Sequence, residues 1–348
     1  MKFPHKILAL DIGAGTQDIL LYNSELPPEN CISLILPTPS RIFAEAIERC
    51  NQDLFIEGDP IGGGAIPSCL KRHLGKGYRV IMSEEAAYTV RNNLKEVKQY
   101  GIEIRSGKID GFKGTIMKFH EIDLILLKDF FAHFGEEFNL DLVAIAVQDH
   151  GTPPEGISNR EFRFKMIEQR LKKDHRPESF VYAQNEIPAC FRRMQAVART
   201  AMTQLGCEVL VMDTSFAAIL GCLEEASSSL FVNVGNNHTL AAMISQGRIE
   251  GVMEHHTRSL NLEKLDNLLI RFMGKEIASR EILEDGGHGA VILRSSPWES
   301  KEIIVTGPNR KMLKNSQFNV RFAAPHGTMM LTGPFGLVKG AHMKYGIS

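Results

Sequence analysis

The sequence predicts a two-lobed α/β protein in which the second lobe repeats the plan of the first. Three observations lead there. A strand, a glycine-containing turn, a strand, a second turn and a third strand open the chain. The same succession returns at Leu230, about 222 residues on when Gly13 is matched to Gly235. An echo at that distance marks a duplicated unit, because solenoid repeats recur every ~20–50 residues. Length and composition agree: 348 residues, 43% hydrophobic and 23% charged, leave room for two domains of ~150 residues each.

Residues 7–12 form an apolar run that ends in the turn Asp11-Ile12-Gly13-Ala14-Gly15-Thr16. Residues 17–22 and 31–36 supply two further strands, the second after Pro27-Pro28. The spacing of Ile42, Phe43, Ala46 and Ile47 predicts a helix over 40–49 with Ser40 as N-cap. Residues 52–120 alternate helical and strand patterns. Within them Gly62-Gly63-Gly64 leads into a helix over 67–74, and Ser83-Glu84-Glu85 starts one expected to reach Gln99. The Val-Ala-Ile-Ala-Val content makes 141–147 a buried strand, which runs into Gln148-Asp149-His150-Gly151. Helices over 159–173 and 188–205, a strand over 208–212 and a helix over 214–225 follow, then the loop Ser227-Ser228-Ser229. The second succession is a strand over 230–234, the polar turn Gly235-Asn236-Asn237-His238-Thr239, a strand over 240–245, the turn Gln246-Gly247 and a strand over 248–254.

Several classes are excluded. With 40 Lys+Arg against 41 Asp+Glu, the chain lacks the basic surplus of a protein that tracks nucleic-acid phosphates. No apolar run reaches the ~18 residues of a membrane span; the best, residues 209–223, is broken by Asp213. Ile7 to Leu10 is too short for a secretory core. A soluble, cytoplasmic protein without nucleic-acid or membrane partners is expected. The six cysteines stand singly in apolar surroundings, with no C-x-x-C pair, and read as structural thiols.

Chemistry concentrates in a few places. A tight hairpin with glycines at two turn positions lets a phosphate approach backbone N–H groups. Asp11, at the end of its strand, suits a magnesium ion held through water, and Thr16 adds a hydroxyl. A plain hairpin whose Asp and Thr bond only their own turn fits the same residues. Asp149 is a candidate general base for a hydroxyl nucleophile, or equally a turn cap. Gly62-Gly63-Gly64 before a helix is an anion-site candidate or a close helix–strand crossing. Six of the twelve histidines follow residue 237; imidazole is a common metal ligand, but none shows a tight ligand spacing, so scattered surface or loop histidines are the favoured reading and metal ligation the alternative.

Taken together, these segments resemble the actin-like ATPase superfamily of sugar kinases, heat-shock chaperones and actin. Residues 11–18 are similar to its first phosphate motif, Asp213 to Gly221 to its first connecting helix, and Phe231 to Thr239 to its second phosphate motif. Ile303 to Asn309 is similar to the adenosine motif and Gly333 to Ala341 to the second connecting helix, in the family's order. Gln148-Asp149-His150-Gly151 is similar to a stretch near the sugar in carbohydrate kinases. The resemblance implies duplicated ribonuclease H-like lobes with ATP and Mg2+ in the cleft between them. Asp11 would organise the metal. Gly13, Gly15, Thr16, Gly235, Asn236 and His238 would face the phosphates, and Gly307 the adenine. Asp213 would position a water or the metal's hydration shell, with Asp149 as base. It further implies a first lobe over 1–225 carrying a family-specific insertion at 52–120, a second over 226–330, and a C-terminal helix over 331–348 returning to the first.

Two departures stand out. Asn233 replaces the aspartate that usually opens the second phosphate motif, and Asn236-Asn237-His238 replaces two glycines. The chain also resembles a prokaryotic family labelled as pyruvate formate-lyase activating proteins, through Asp11 to Asp18, Gly62 to Pro67, Gln148 to Gly151, Glu254-His255-His256-Thr257 and Pro325-His326-Gly327. That label implies a radical S-adenosylmethionine enzyme, which needs three closely spaced cysteines, and the sequence has none. Three functions stay open: phosphotransfer to a small-molecule acceptor or slow ATP hydrolysis coupled to lobe closure, a nucleotide-dependent activator of a partner protein, and a non-hydrolysing pseudoenzyme.

Overall fold

A computed structural model describes residues 4–107, 109–223, 228–293, 298, 300 and 302–346. Strand β1 (Lys6–Ile12) pairs antiparallel with β2 (Thr16–Asn23), and β2 with β3 (Ile32–Pro37). Helix α1 (Pro39–Arg49) then leads into a separate parallel layer. It comprises β4 (Leu54–Gly58), α2 (Ile66–Gly75), β5 (Val80–Ser83), α3 (Glu84–Ala87), α4 (Leu94–Gln99), β6 (Glu103–Arg105) and β7 (Thr115–Phe119), in the order β6-β5-β4-β7. The chain returns through α5 (Leu124–His133) to β8 (Leu142–Val147), which lies parallel to β1. Then follow α6 (Asn159–Lys173), β9 (Tyr182–Ala183), α7 (Arg192–Leu205) and β10 (Glu208–Met212), the last parallel to β8.

Helix α8 (Thr214–Cys222) crosses to a second sheet built from β11 (Ser229–Val234), β12 (His238–Ser245) and β13 (Arg248–His256). After α9 (Leu262–Met273) and α10 (Ser279–Glu284) come β14 (Gly289–Ile292), β15 (Glu302–Thr306) and β16 (Asn319–Phe322), and α11 (Thr332–Lys344) closes the fold. Among the described residues the two large sheets run β3-β2-β1-β8-β10-β9 and β14-β13-β12-β11-β15-β16. Aligned from β3 and β13, both read as three antiparallel strands followed by two parallel ones. This duplicated strand order is the two-lobed plan of the actin-like ATPase fold.

Helices α8 and α11 pack against each other, and their glycines set the distance. A Cβ on Gly221 would overlap the Thr332 carbonyl, and one on Gly336 the Ala217 carbonyl. Phe216, Ile219 and Leu220 of α8 and Leu337 and Val338 of α11 share one buried cluster with Ala9 of β1 and with Phe231 and Leu240 of the second sheet. The lobes therefore join through continuous apolar packing.

Several local expectations differ from what forms. Helix α1 starts at Pro39 with Thr38 at the N-cap position and no side-chain cap bond, so Ser40 lies inside it. Proline's fixed φ and missing N–H suit the first helical position. The helix expected to run from Ser83 to Gln99 is two short ones, because Thr89 is drawn out to accept the Ile61 N–H and Asn93 caps a new start by accepting the Lys95 N–H. The helix expected from residue 188 begins at Arg192. Helix α8 ends at Cys222; residues 224–227, within the expected 214–225 helix and Ser loop, lie outside the described residues.

Candidate functional site

The β1–β2 and β11–β12 turns meet across the cleft. Each closes on itself in the same way: the Gly13 N–H donates to the Thr16 carbonyl at 2.9 Å, and the Gly235 N–H to the His238 carbonyl at 2.9 Å. These two N–H groups are therefore bound within their turns. A Cβ on Gly15 would overlap Nδ2 of Asn236, so the tip of that side chain lies directly against the first turn. Asp11, Asp18, Thr16, Asn233, Asn236, His238 and Gly307 line one cavity of about 180 Å³ beneath the turns. At its far side Gly307 has φ of +94°, and a Cβ there would overlap the Val234 carbonyl and press on Asn233 Oδ1.

The floor of that cavity is acidic. Asp11 lies opposite Asp18 in the ladder, accepts the Thr214 hydroxyl at 2.5 Å, and is backed by Gly333, where a Cβ would overlap its carboxylate. Burial, with Asp18 and Asp213 nearby, pushes its pKa up to about 8. Burial likewise raises Asp18 to about 6 against the opposing Thr16 hydroxyl. One Asp18 oxygen, Oδ1, is buried with no hydrogen-bond partner among the described residues. Two facing carboxylates that burial forces toward protonation are the donor set a hard divalent cation neutralises. Sequence reasoning singled out Asp11 and not Asp18.

The other two expected acids are occupied. Asp213 caps α8 by accepting the Ser215 N–H at 3.0 Å, and receives Arg163 at 2.7 and 3.2 Å. Arg163 reaches onward to Glu254 of β13 at 2.8 and 3.0 Å, linking the two lobes through one buried guanidinium. Burial alone would weaken that cation and protonate Glu254, but their mutual attraction holds Arg163 charged and Glu254 far below the carboxylate range. Asp149 accepts three backbone N–H groups, from Gly151 and Arg193 at 2.8 Å and Met194 at 3.2 Å. Its Oδ2 thus caps the start of α7, while its Oδ1 closes the turn at Gly151.

A second cavity, about 280 Å³, adjoins the first through Gly13, Ala14, Gln148, Thr214, Asn237 and His238. Its outer wall comes from the β4–β7 layer, including Gly62, Gly63, Gly64 and Arg91, with Arg192 from α7. The Gly62 N–H is already donated to Glu121 at 2.8 Å, which also receives Arg193. An anion at the glycine run would have to displace that carboxylate.

The histidines correct the scattered reading. His150, His238, His256 and His288 gather at the inner end of the two cavities, with ring centroids of neighbouring pairs 4.8–5.5 Å apart. Nε2 of His150 lies 3.1 Å from Nε2 of His288. Burial lowers His238 to about 4 and His288 to about 3, and holds His150 well below the imidazole range. They come from the ends of β8, β12, β13 and β14, so no local spacing announces them. Among the described residues, His150, His238 and His288 are the group of His, Cys, Asp or Glu side chains that converges closely enough for a metal ion. No cysteine belongs to it.

A family model described as "Putative pyruvate format-lyase activating enzyme (DUF1786)" matches residues 61–312. No curated protein matches the sequence. Among solved structures the chain is similar to an inorganic polyphosphate/ATP-glucomannokinase from Arthrobacter sp. strain KM, at 13% identity and a TM-score of 0.36 over 97% of both chains. It is similar to the activator of the 2-hydroxyisocaproyl-CoA dehydratase from Clostridium difficile with bound ADPNP, at 8% identity and 0.36 over 97% of this chain and 95% of that one. It is also similar to MreB5 of Spiroplasma citri bound to ADP, at 12% identity and 0.36 over 95% and 94%. At such scores the fold rests on the strand order above, and the likenesses carry no function.

Proposed function

The chain belongs to the family which that model describes, and we propose that it binds ATP with Mg2+ in the cleft and passes the terminal phosphoryl group to a small anionic acceptor in the adjoining cavity. The observation that carries this is the Asp11–Asp18 pair beneath two facing glycine turns, with a buried Asp18 oxygen left without a hydrogen-bond partner among the described residues. Magnesium, when bound, neutralises charge on the phosphate oxygens. Asp11 and Asp18 would hold it through water. Residues of the two turns, Gly15, Thr16, Asn236 and His238 among them, flank the phosphates, and Gly307 leaves backbone free for the adenine to lie against.

The acceptor follows from what the acids are doing. Asp149 is held by three amides and Asp213 is paired with Arg163, so this reading asks neither to take a proton from a hydroxyl. An acceptor oxygen that is already an anion, as in a carboxylate or phosphate, needs no base. Phosphoryl transfer depends mainly on positioning and charge. Arg91 and Arg192 on the wall of the second cavity supply the attraction.

The family's description leads to different chemistry. An iron–sulfur cluster asks for convergent thiolates, and among the described residues the cysteines do not converge to fit one. A second reading, a nucleotide-dependent switch acting on a partner protein, is favoured by Arg163. It ties Asp213 of the first lobe to Glu254 of the second beside the cleft, where closure would be felt.

The test is ADP release with MgATP alone and with a panel of small carboxylates and phosphates. An acceptor that raises release at least tenfold, with its phosphorylated product recovered, is expected. Nucleotide binding without any such acceptor would favour the switch.

A further inference from the structure

We propose that His150, His238 and His288 form a binding site for one divalent transition metal of the zinc class, at the inner end of the cleft and separate from the magnesium carboxylates. The three side chains approach from both lobes: His150 follows β8 of the first, while His238 opens β12 and His288 precedes β14 of the second. Their ligating nitrogens all lie within 4.8 Å of one another, and the closest pair is 3.1 Å apart. Tetrahedral zinc–imidazole bonds of ~2.0–2.1 Å place neighbouring nitrogens ~3.4 Å apart, so the cluster is of the right size for a shared ion after small rotations.

A hydrogen-bonded histidine network explains less. One N–H between His150 and His288 satisfies that pair only. Nε2 of His238 and Nδ1 of His288 remain buried with no hydrogen-bond partner among the described residues, and His288 is 1% exposed. Buried polar nitrogens without partners are costly, and a metal accounts for Nε2 of His238. Burial keeps these imidazoles neutral, which is the ligating form.

The surroundings are those of an oriented ligand set. Nδ1 of His288 faces Glu254 Oε2 at 4.0 Å, and Glu254, fully buried, is fixed by Arg163 and by Gln148 Nε2 at 3.2 Å. A carboxylate behind a ligating imidazole fixes the ring and raises its basicity. Nitrogen ligands select zinc, copper, iron or nickel over magnesium. Three protein ligands also leave a position open toward the second cavity, which His150 and His238 line. Small anions that reach that position are the ligand class it would take.

The experiment is titration of chelator-treated full-length protein with Co2+, read by visible absorption, followed by displacement with Zn2+. One Co2+ per chain with the intense bands of a four-coordinate ion, displaced by one Zn2+, is expected. His288→Ala and His238→Ala should each weaken Co2+ binding at least a hundredfold, while His133→Ala, on the exposed face of α5, leaves it unchanged. If His288→Ala fails to fold, His238→Ala, which opens onto the cavity, decides the matter. Absence of stoichiometric binding, or binding that survives His238→Ala, overturns the site. Melting with and without MgATP, recorded on the same variants, keeps this outcome separate from the nucleotide reading.

Discussion

Asp11 and Asp18 stand opposite each other in the β1–β2 ladder, and the Asp18 charge, added to burial, helps push the Asp11 carboxyl up to about 8. Like charges directly opposite across a strand pair are destabilising. Without metal, the folded protein keeps a proton on Asp11 that the unfolded chain has released above its ordinary value of 3.8. Stability should therefore fall as pH rises through that window toward about 8. In chelator, Asp11→Asn should flatten that slope and raise the unfolding free energy near its upper end by at least ~1.4 kcal/mol, the equivalent of one pKa unit. Urea unfolding across the pH range measures it. A wild-type stability that rises with pH there would contradict the arrangement.

The α8–α11 crossing yields a separate expectation. Gly221 has the Thr332 carbonyl where its Cβ would be. Gly221→Ala should force the helices apart and cost ~1–3 kcal/mol, as overpacking does. Urea midpoints with an unchanged slope report it. An effect within the ~0.5 kcal/mol of an ordinary surface substitution would mean that the helices are not in contact there.

Arg163 holds two buried carboxylates from different lobes. Arg163→Met should cost ~3–5 kcal/mol, because Asp213 and Glu254 are left charged and unpaired. Adding Asp213→Asn and Glu254→Gln should recover much of that loss in thermal melting. Failure of the triple variant to recover would show that the network is not held by charge.

How much of this was legible follows from how locally each feature is encoded. The β1–β3 and β11–β13 successions are visible because each is a set of short apolar runs parted by turns, and the same turn closure recurs at Gly13 and Gly235. The helices between β5 and β6 depart from the sequence pattern where tertiary contacts act: Thr89 leaves the helical pattern to bind the Ile61 N–H. Asp18 was in reach, since pairing Ile12 with Gln17 across the turn puts it opposite Asp11. The histidine cluster was not, because His150 and His288 are 138 residues apart and meet only when the lobes join. Arg163 gave no signal either, as one arginine on a polar helix.

Asn233 lines the same cavity as Asp11 and Asp18. It stands where the resemblance leads one to expect an aspartate, and in the proposed site Asp18 offers the second carboxylate instead. Asn233→Asp should then add a third negative group facing the phosphates and weaken MgATP about tenfold, or ~1.4 kcal/mol. Calorimetric titration of both proteins decides it; tighter binding by the variant would place the metal closer to Asn233 than to Asp18.

Magnesium–nucleotide binding at the Asp11–Asp18 pair is read from ligand-dependent melting. A ligand at 100 times its dissociation constant stabilises a protein by ~2.7 kcal/mol. The melting temperature of the wild type should rise with MgATP and rise less with ATP in chelator. Asp11→Asn should lose the magnesium-dependent part while remaining folded. A wild-type melting temperature unmoved by millimolar MgATP would contradict the claim.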